Sequence, residues 1–500
     1  MATSVSRTPH DVAGPVGGHT LALDGPGPGT QSPLETATER VALRRSRLLL
    51  VVVVLGVYLL SPNVTTTDSY LAMPAAVSLV HSGDLDLDEF SSPAVRRHYA
   101  FVPVDGRHMD RYPWAMALLF VPGVLAVDGL RHLGIGPGAV ALVENNDMGV
   151  LQLVTASLVT ALTVLVVAVL AHERLRGPAR FRRRSAFLVG LVFGLGTAAW
   201  STASRSLWQH GPSMLALAVA LLLATRLESG ARHRATAAWL GATLAAAYAV
   251  RPTNAIAIVA FTVFVGLRHR RRAAVYLGGL GAGLAVFVAV NVAAYGSILP
   301  EYFSTRRVAL HPDYAQALAA NLFSPARGLL VFSPVALLAV AGLVVAVRRR
   351  TVGPLDVVAA GISVSHLLIV SAQNEGWWAG HAFGARFLSD VLPLLAYLSL
   401  PAVGALLQPR PAPAPSLGRR LAAAAVWLAV VASVVINGQG AIFRASTCWN
   451  IDPVDIDDDP SRVWDLDRPQ VLAGFLQGCP GQPPTKNDGP EPQQSTSRAD

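Results

Sequence analysis

Charge is scarce in this sequence. Only 14% of its 500 residues are Asp, Glu, Lys or Arg, where a soluble protein carries about 25%. With 52% hydrophobic residues and a mean hydropathy of +0.45, that shortfall excludes an ordinary soluble domain. Lysine is nearly absent: Lys486 is the single one among 40 basic residues. Cysteine is confined to Cys448 and Cys479, which excludes a cysteine-rich scaffold and leaves one pair that could form a disulfide outside the cell. No glycine-rich phosphate loop follows a strand, which excludes a nucleotide-binding domain. Residues 1–40 lack an apolar core and read as a disordered cytoplasmic tail, not a cleaved signal peptide.

What is present is a series of apolar runs. About eleven segments look able to span a bilayer: 47–61, 148–171, 185–203, 211–227, 236–250, 253–268, 273–294, 328–347, 354–371, 386–407 and 421–438. The expected fold class is therefore an all-α polytopic membrane protein, with a transmembrane domain over 41–440. The net charge of +9 would suggest nucleic acid in a soluble protein. Here the arginines cluster in short loops, at 44–47, 174–184, 226–234, 268–272, 348–350 and 410–420, and so mark the cytoplasmic side. No nucleic-acid partner is expected.

Cytoplasmic clusters require an even number of crossings between them. The first interval holds three apolar stretches, 47–61, 113–130 and 148–171. Three crossings would put the basic 174–184 loop outside, so 113–130 is assigned to the outer interface, juxtamembrane rather than spanning. Its prolines, Pro113 and Pro122, and Asp128 fit that assignment. The first outer loop then runs 61–147. A largely irregular tail, 441–500, is also outside. The composition, poor in lysine and rich in Ala, Val, Gly and Pro, is that of a GC-rich bacterial genome, which makes the membrane a bacterial plasma membrane.

Chemistry must then lie on the outer face. Asp68 sits just past the first run, and a charge held that close to hydrocarbon is a functional candidate. Outer arginines are few: Arg205, Arg251, Arg306, Arg307, Arg327 and Arg386. Guanidinium groups hold phosphate bidentately. Snorkelling to headgroups explains any one of them as simply, but Arg205 and Arg386 stand in loops dense in aromatic, His and Gly residues. Trp200 and Trp208 suit an interfacial belt. The doublet Trp377-Trp378, flanked by Gly376, Gly380 and Gly384, suits the apolar face of a sugar or an isoprenoid. His210 and His381 are candidate acid–base or phosphate partners, and each alone could be structural. The acidic runs 84–89 and 452–459 read first as solvated loop, with metal binding as the alternative. The Asn63-Val64-Thr65 sequon is read as chance in a bacterium.

One helix, then a long outer loop opening TTTDSYLAMPAAVSLVHSGDLDL, resembles the GT-C superfamily of polyprenyl-phosphate-sugar-dependent glycosyltransferases, including its protein-mannosyltransferase-like (family 39) and lipid A sugar-transfer-like members. DGRHMDRYPWAMALLFVP, NLFSPARGLLVFSPV and GWWAGHAFGARFLSDVLPLL extend the resemblance over roughly 48–407. It implies inverting sugar transfer from a polyprenyl-phosphate donor to an extracytoplasmic glycan, lipid or protein, with Asp68 as the base and arginines on the leaving phosphate. Many members carry a second acid in the second outer loop. Here that loop reads SRSLWQHGPS and has none, which leaves a two-carboxylate site and a divalent metal without assigned ligands. Glu301, Asp313, Glu375 and Asp147 are the substitutes considered.

The alternatives are a transporter or flippase of a lipid-linked saccharide and a non-catalytic envelope-assembly protein. The first would place charge along helix interiors at mid-depth. The second would have no use for Arg, His and paired Trp in the same loops.

Overall fold

A computed structural model describes residues 33–65, 68–230, 235–374, 376–408 and 416–479. The chain divides into two compact units, 1–42 and 43–500. Of the first, the described part is the helical stretch from Pro33, which begins inside the expected 1–40 tail; residues 1–32 lie outside the described residues. Everything below concerns the second unit.

Its elements are the part of α1 (Pro33–Leu60) from Leu43 onward, α2 (Ala72–His81), a hairpin of β1 (Phe101–Val104) and β2 (Arg107–Asp110), α3 (Ala117–His132), α4 (Gly149–Arg174), α5 (Ala179–Leu195), α6 (His210–Glu228), α7 (Ala235–Val250), α8 (Ala255–Arg268), α9 (Arg270–Tyr295), α10 (Leu337–Arg348), α11 (Pro354–Ser371), α12 (Leu392–Leu407) and α13 (Leu417–Ile442). The protein is an all-α, multi-pass membrane protein. Seven of its helical stretches are long and apolar enough to cross a bilayer: Trp114–His132, Gly149–Arg174, His210–Glu228, Arg270–Tyr295, Pro354–Ser371, Arg386–Leu407 and Leu417–Ile442. The remaining expected runs are helical too, but shorter or, in α1, flanked by arginine.

One of the seven is the stretch expected to be juxtamembrane. The stretch 113–130, assigned to the interface by charge parity, forms a continuous helix through Trp114–His132 with mean hydropathy 1.5. Pro113 precedes the first turn, and Pro122 lies inside the helix, as transmembrane segments tolerate. Asp128 is held locally: its carboxylate lies 2.8 Å from His81 Nε2 and accepts the Ala139 N–H at 2.8 Å.

Small residues set the closest helix contacts. A Cβ on Gly241 of α7 would lie 2.2 Å from the Tyr276 carbonyl of α9, and one on Gly279 would lie 2.1 Å from the Ala238 carbonyl. Gly342 of α10 approaches the Leu398 carbonyl of α12 in the same way, at 2.0 Å. Without a hydrophobic drive between helices in lipid, such backbone proximity is what packing relies on.

Among the described residues the single sheet is the hairpin, in register Phe101↔Asp110, and its Asp105-Gly106 turn has positive φ at both positions, as a two-residue hairpin of this hand requires. It presents Asp110 and then Tyr112 to the loops around Asp68. The described C-terminal stretch, 443–479, holds short helical turns closed by the Cys448–Cys479 disulfide. Trp449 is fully buried there, with the guanidinium groups of Arg462 and Arg327 over its ring at 4.5 and 5.6 Å. Asn63 is buried too, its amide donating to the Gly440 carbonyl at 2.7 Å, so the sequon asparagine has a structural role.

Gly342→Leu should force α10 off α12 and lower stability by about 1–3 kcal/mol. Thermal unfolding in detergent checks this, and an unchanged midpoint would refute the packing argument.

Candidate active site

Asp68 lies in the turn between α1 and α2. That turn is anchored from below: Ser69 Oγ meets Ser206 Oγ at 2.6 Å, and Gln152 Nε2 of α4 donates to the Ser69 carbonyl at 3.0 Å. The Asp68 carboxylate is taken from two sides. Arg386 Nη1 donates to Oδ2 at 2.9 Å, and the Tyr99 hydroxyl donates to Oδ1 at 2.5 Å. The Tyr112 hydroxyl stands 3.0 Å from that of Tyr99. Asp68 keeps 26% of its side-chain surface exposed and Arg386 keeps 9%, so the pair faces an opening.

Burial pushes the Asp68 carboxyl upward. Arg386, then the Tyr99 and Tyr112 hydroxyls, then His210, outweigh it and hold the group below its usual value. Asp68 is therefore ionised at neutral pH. The Arg386 guanidinium lies over the Trp208 indole at 4.3 Å and the Phe387 ring at 5.3 Å. Nε of Arg386 and Nε1 of Trp208 have no hydrogen-bond partner among the described residues, although both are buried. The belt reading of Trp208 is thereby corrected: its ring is 3% exposed and forms the floor under Arg386.

Arg386 opens a tight helical turn, Arg386–Val391, that also carries Asp390. Asp390 is completely buried and gathers three basic side chains on Oδ2: His210 Nδ1 at 2.9 Å, Arg251 Nε at 3.2 Å and His366 Nε2 at 3.6 Å. His366 Nε2 also lies 2.8 Å from the Phe387 carbonyl, and Arg251 Nη1 lies 3.5 Å from His210 Nε2. His210 thus reaches the Asp68 neighbourhood through this network, not by direct contact.

Of the sequence candidates, Asp68, Arg386 and His210 converge. The others do not join them. Arg205, expected to hold phosphate, is 0% exposed and spends its donors on Ser204 Oγ at 3.1 Å, the Ser61 carbonyl at 2.7 Å and the Tyr58 carbonyl. It caps the end of α1 and is withdrawn from the site. Trp377, Trp378 and His381 face the C-terminal stretch: Trp377 packs in the cluster of Trp449, Ile456 and Val463, Trp378 Nε1 donates to Asp457 Oδ1 at 2.6 Å, and His381 Nε2 meets Asp455 Oδ1 at 2.7 Å. A sugar-stacking role for the tryptophan doublet is not what this placement offers.

The second carboxylate is one the sequence reading passed over. Asp110, at the end of β2, is 4% exposed and accepts the Tyr112 N–H at 3.0 Å. Burial first, and the Asp68 charge in addition, push its carboxyl up to about 7. Glu301 is 77% exposed and paired with Arg111, Asp147 and Asp313 are exposed, and Glu375 lies outside the described residues. Both Asp68 oxygens are engaged by Arg386 and Tyr99, so the donor set at Asp68 does not fit a metal, and no step is derived through one. The 84–89 run is consumed locally, by Ser78 on Asp84 and His108 on Asp88. Asp390 and His366 were legible in principle, as ionisable residues inside apolar runs. Tyr99, Tyr112 and Asp110 carried no such signal.

Comparison with protein-family models, with curated proteins and with solved structures finds no match for this chain.

Asp110 makes stability pH-dependent with a defined sign. Its folded value lies above the unfolded one, so its contribution is present in acid and lost as pH rises towards about 7. Thermal midpoints measured between pH 4 and 8 should fall less steeply in Asp110→Asn than in the unsubstituted protein. Parallel curves would refute the buried, proton-holding assignment.

Proposed function

We propose that the protein is a membrane glycosyltransferase that moves a sugar from a polyprenyl-phosphate donor to an extracytoplasmic hydroxyl acceptor, with inversion. The observation that carries this reading is the Asp68–Arg386 pair, a base and a cation brought together from positions 318 residues apart and left partly open to solvent. In the reaction, Asp68 takes the proton of the acceptor hydroxyl as its oxygen attacks the anomeric carbon. The bond from that carbon to the phosphate oxygen breaks, and the polyprenyl phosphate leaves with the electron pair. Arg386 balances the charge that develops there, the role in which preorganised cations contribute most. A donor phosphate competes with Asp68 for the guanidinium, which frees the carboxylate as the base. Tyr99 keeps Asp68 oriented while this happens.

The unpartnered N–H groups of Arg386 and Trp208 support anion recognition at this spot, since buried donors otherwise find partners. The orientation that fits is a cytoplasmic N-terminus with the Asp68 loop and the C-terminal stretch outside, in a bacterial plasma membrane. Trp114–His132 then lies along the outer interface, packed on α2.

A flippase would need ionisable groups at mid-depth. Here His210 begins α6, Arg251 sits between α7 and α8, and Asp390 and His366 stand within about two turns of helix ends. That clustering at one level favours a surface-facing chemical site.

Membranes containing Asp68→Asn, supplied with radiolabelled polyprenyl-phosphate pentoses and hexoses, should transfer sugar about 10²–10⁴-fold more slowly than the unsubstituted protein. Arg386→Lys, which keeps the charge but not the fork, should lose about 10²–10³-fold. Full transfer by a correctly folded Asp68→Asn protein would sink the mechanism. Leaflet exchange of the intact lipid-linked sugar without a new glycosidic bond would favour the flippase.

A further inference from the structure

His381 belongs to the glycine-rich loop ahead of Arg386, while Asp455 and Asp457 belong to the C-terminal stretch, 74 residues further on. Their ligand atoms all lie within 4.8 Å of one another. We propose that these three side chains form a binding site for a divalent transition-metal cation of the Zn²⁺ class, and that the cation fastens the C-terminal stretch to the loop leading into the Arg386 turn. The inference is independent of the sugar-transfer reading.

The geometry needs little adjustment. Zinc bonds to imidazole and carboxylate of about 2.1 Å, in tetrahedral arrangement, put ligand atoms about 3.4 Å apart. His381 Nε2 already lies 3.6 Å from Asp457 Oδ2, and its 2.7 Å contact with Asp455 Oδ1 has to open by less than an ångström. The three side chains are 24%, 26% and 45% exposed, so solvent reaches the site and can complete the coordination.

The surroundings orient the ligands. Trp378 Nε1 holds Asp457 Oδ1 at 2.6 Å, which leaves Oδ2 on the side of His381. The Asp457 N–H donates to Asp455 Oδ1 at 2.9 Å. Arg327, 1% exposed, fixes the loop from behind, donating to the Trp378 carbonyl and to the Gly380 carbonyl at 2.8 Å. Such outer contacts tune a metal site almost as strongly as the ligands do.

Charge argues the same way. Among the described residues, neither carboxylate has an arginine or lysine within ion-pair distance; His381 is in contact with both, and Arg462 and Arg327 act on Asp455 and Asp457 only from further off. Two carboxylates without a contacting arginine or lysine are charge-matched by a divalent cation. An imidazole nitrogen among the ligands selects a borderline metal over Ca²⁺, which takes oxygen ligands. Both aspartates lie inside the loop closed by Cys448–Cys479, so the disulfide closes the loop and the metal ties it to His381.

The test uses the full-length, tag-free protein in detergent, stripped with chelator and dialysed against Zn²⁺. About one Zn²⁺ per chain should bind, and the thermal midpoint should rise with it. His381→Ala and the double variant Asp455→Asn/Asp457→Asn should bind at least about tenfold more weakly and lose the midpoint shift. Equal uptake by His381→Ala, or saturation by Ca²⁺ without Zn²⁺, overturns the site. Should the variants fail to fold, Co²⁺ added to the unsubstituted protein decides: visible d–d bands displaced by one equivalent of Zn²⁺ support it, and their absence overturns it.

Discussion

The contact between Asp68 and Arg386 is the constraint on which the arrangement of the site rests. It joins the turn after α1 to the turn before α12. A guanidinium stacked on Trp208 is rigid, and a carboxylate held by Tyr99 is rigid, so the two elements meet in one relative position. Charges of this kind, partly desolvated, are worth having only when both partners are present; either alone would be a buried or half-buried charge without compensation. The hairpin matters for the same reason. Its register delivers Asp110 and Tyr112 beside the pair, and the Tyr99–Tyr112 contact ties the hairpin to Asp68.

Behind the pair stands Asp390. A fully buried carboxylate is costly unless met by cations and hydrogen bonds, and here Arg251 supplies the cation and His210 a hydrogen bond, with His366 close by, from three separate parts of the chain. The turn Arg386–Val391 is therefore pinned at its far end by Asp390 and at its near end by Arg386. Chain geometry, not sequence proximity, makes this a unit: residues 210, 251, 366 and 390 have no common motif, yet each lies within about two turns of a helix end.

Much of this was written in the sequence in a form that could be read. Apolar runs gave the helical architecture because burial in lipid demands internally satisfied backbone. Asp68, Arg386 and His210 stood out because ionisable residues beside hydrocarbon are expensive. Asp110, Tyr99 and Tyr112 were not legible, since their relation to Asp68 comes from hairpin register and loop closure, which leave no periodic trace. The tryptophan doublet misled for a related reason. Composition suggested a ligand platform, but the C-terminal stretch folds back over it, and nothing in the local sequence announces that long-range packing.

The arginines show how far residue type falls short of role. Arg205 and Arg327 are the most deeply buried of the outer set, and both donate to backbone carbonyls and neutral side chains. Burial without a carboxylate lowers their affinity for the proton, Arg205 to about 10 and Arg327 to about 9, the latter helped by the nearby charge of Arg386. These groups already have their acceptors and have nothing left to offer a phosphate. Arg386 differs in what it faces: one nitrogen on a carboxylate that a stronger anion can displace, a second without a partner, and an aromatic floor that lets the guanidinium stay desolvated. What separates a structural arginine from one available for chemistry is thus the exchangeability of its acceptors. By that criterion Arg386 stands apart from Arg205 and Arg327, although Arg205 and Arg386 looked alike in the sequence.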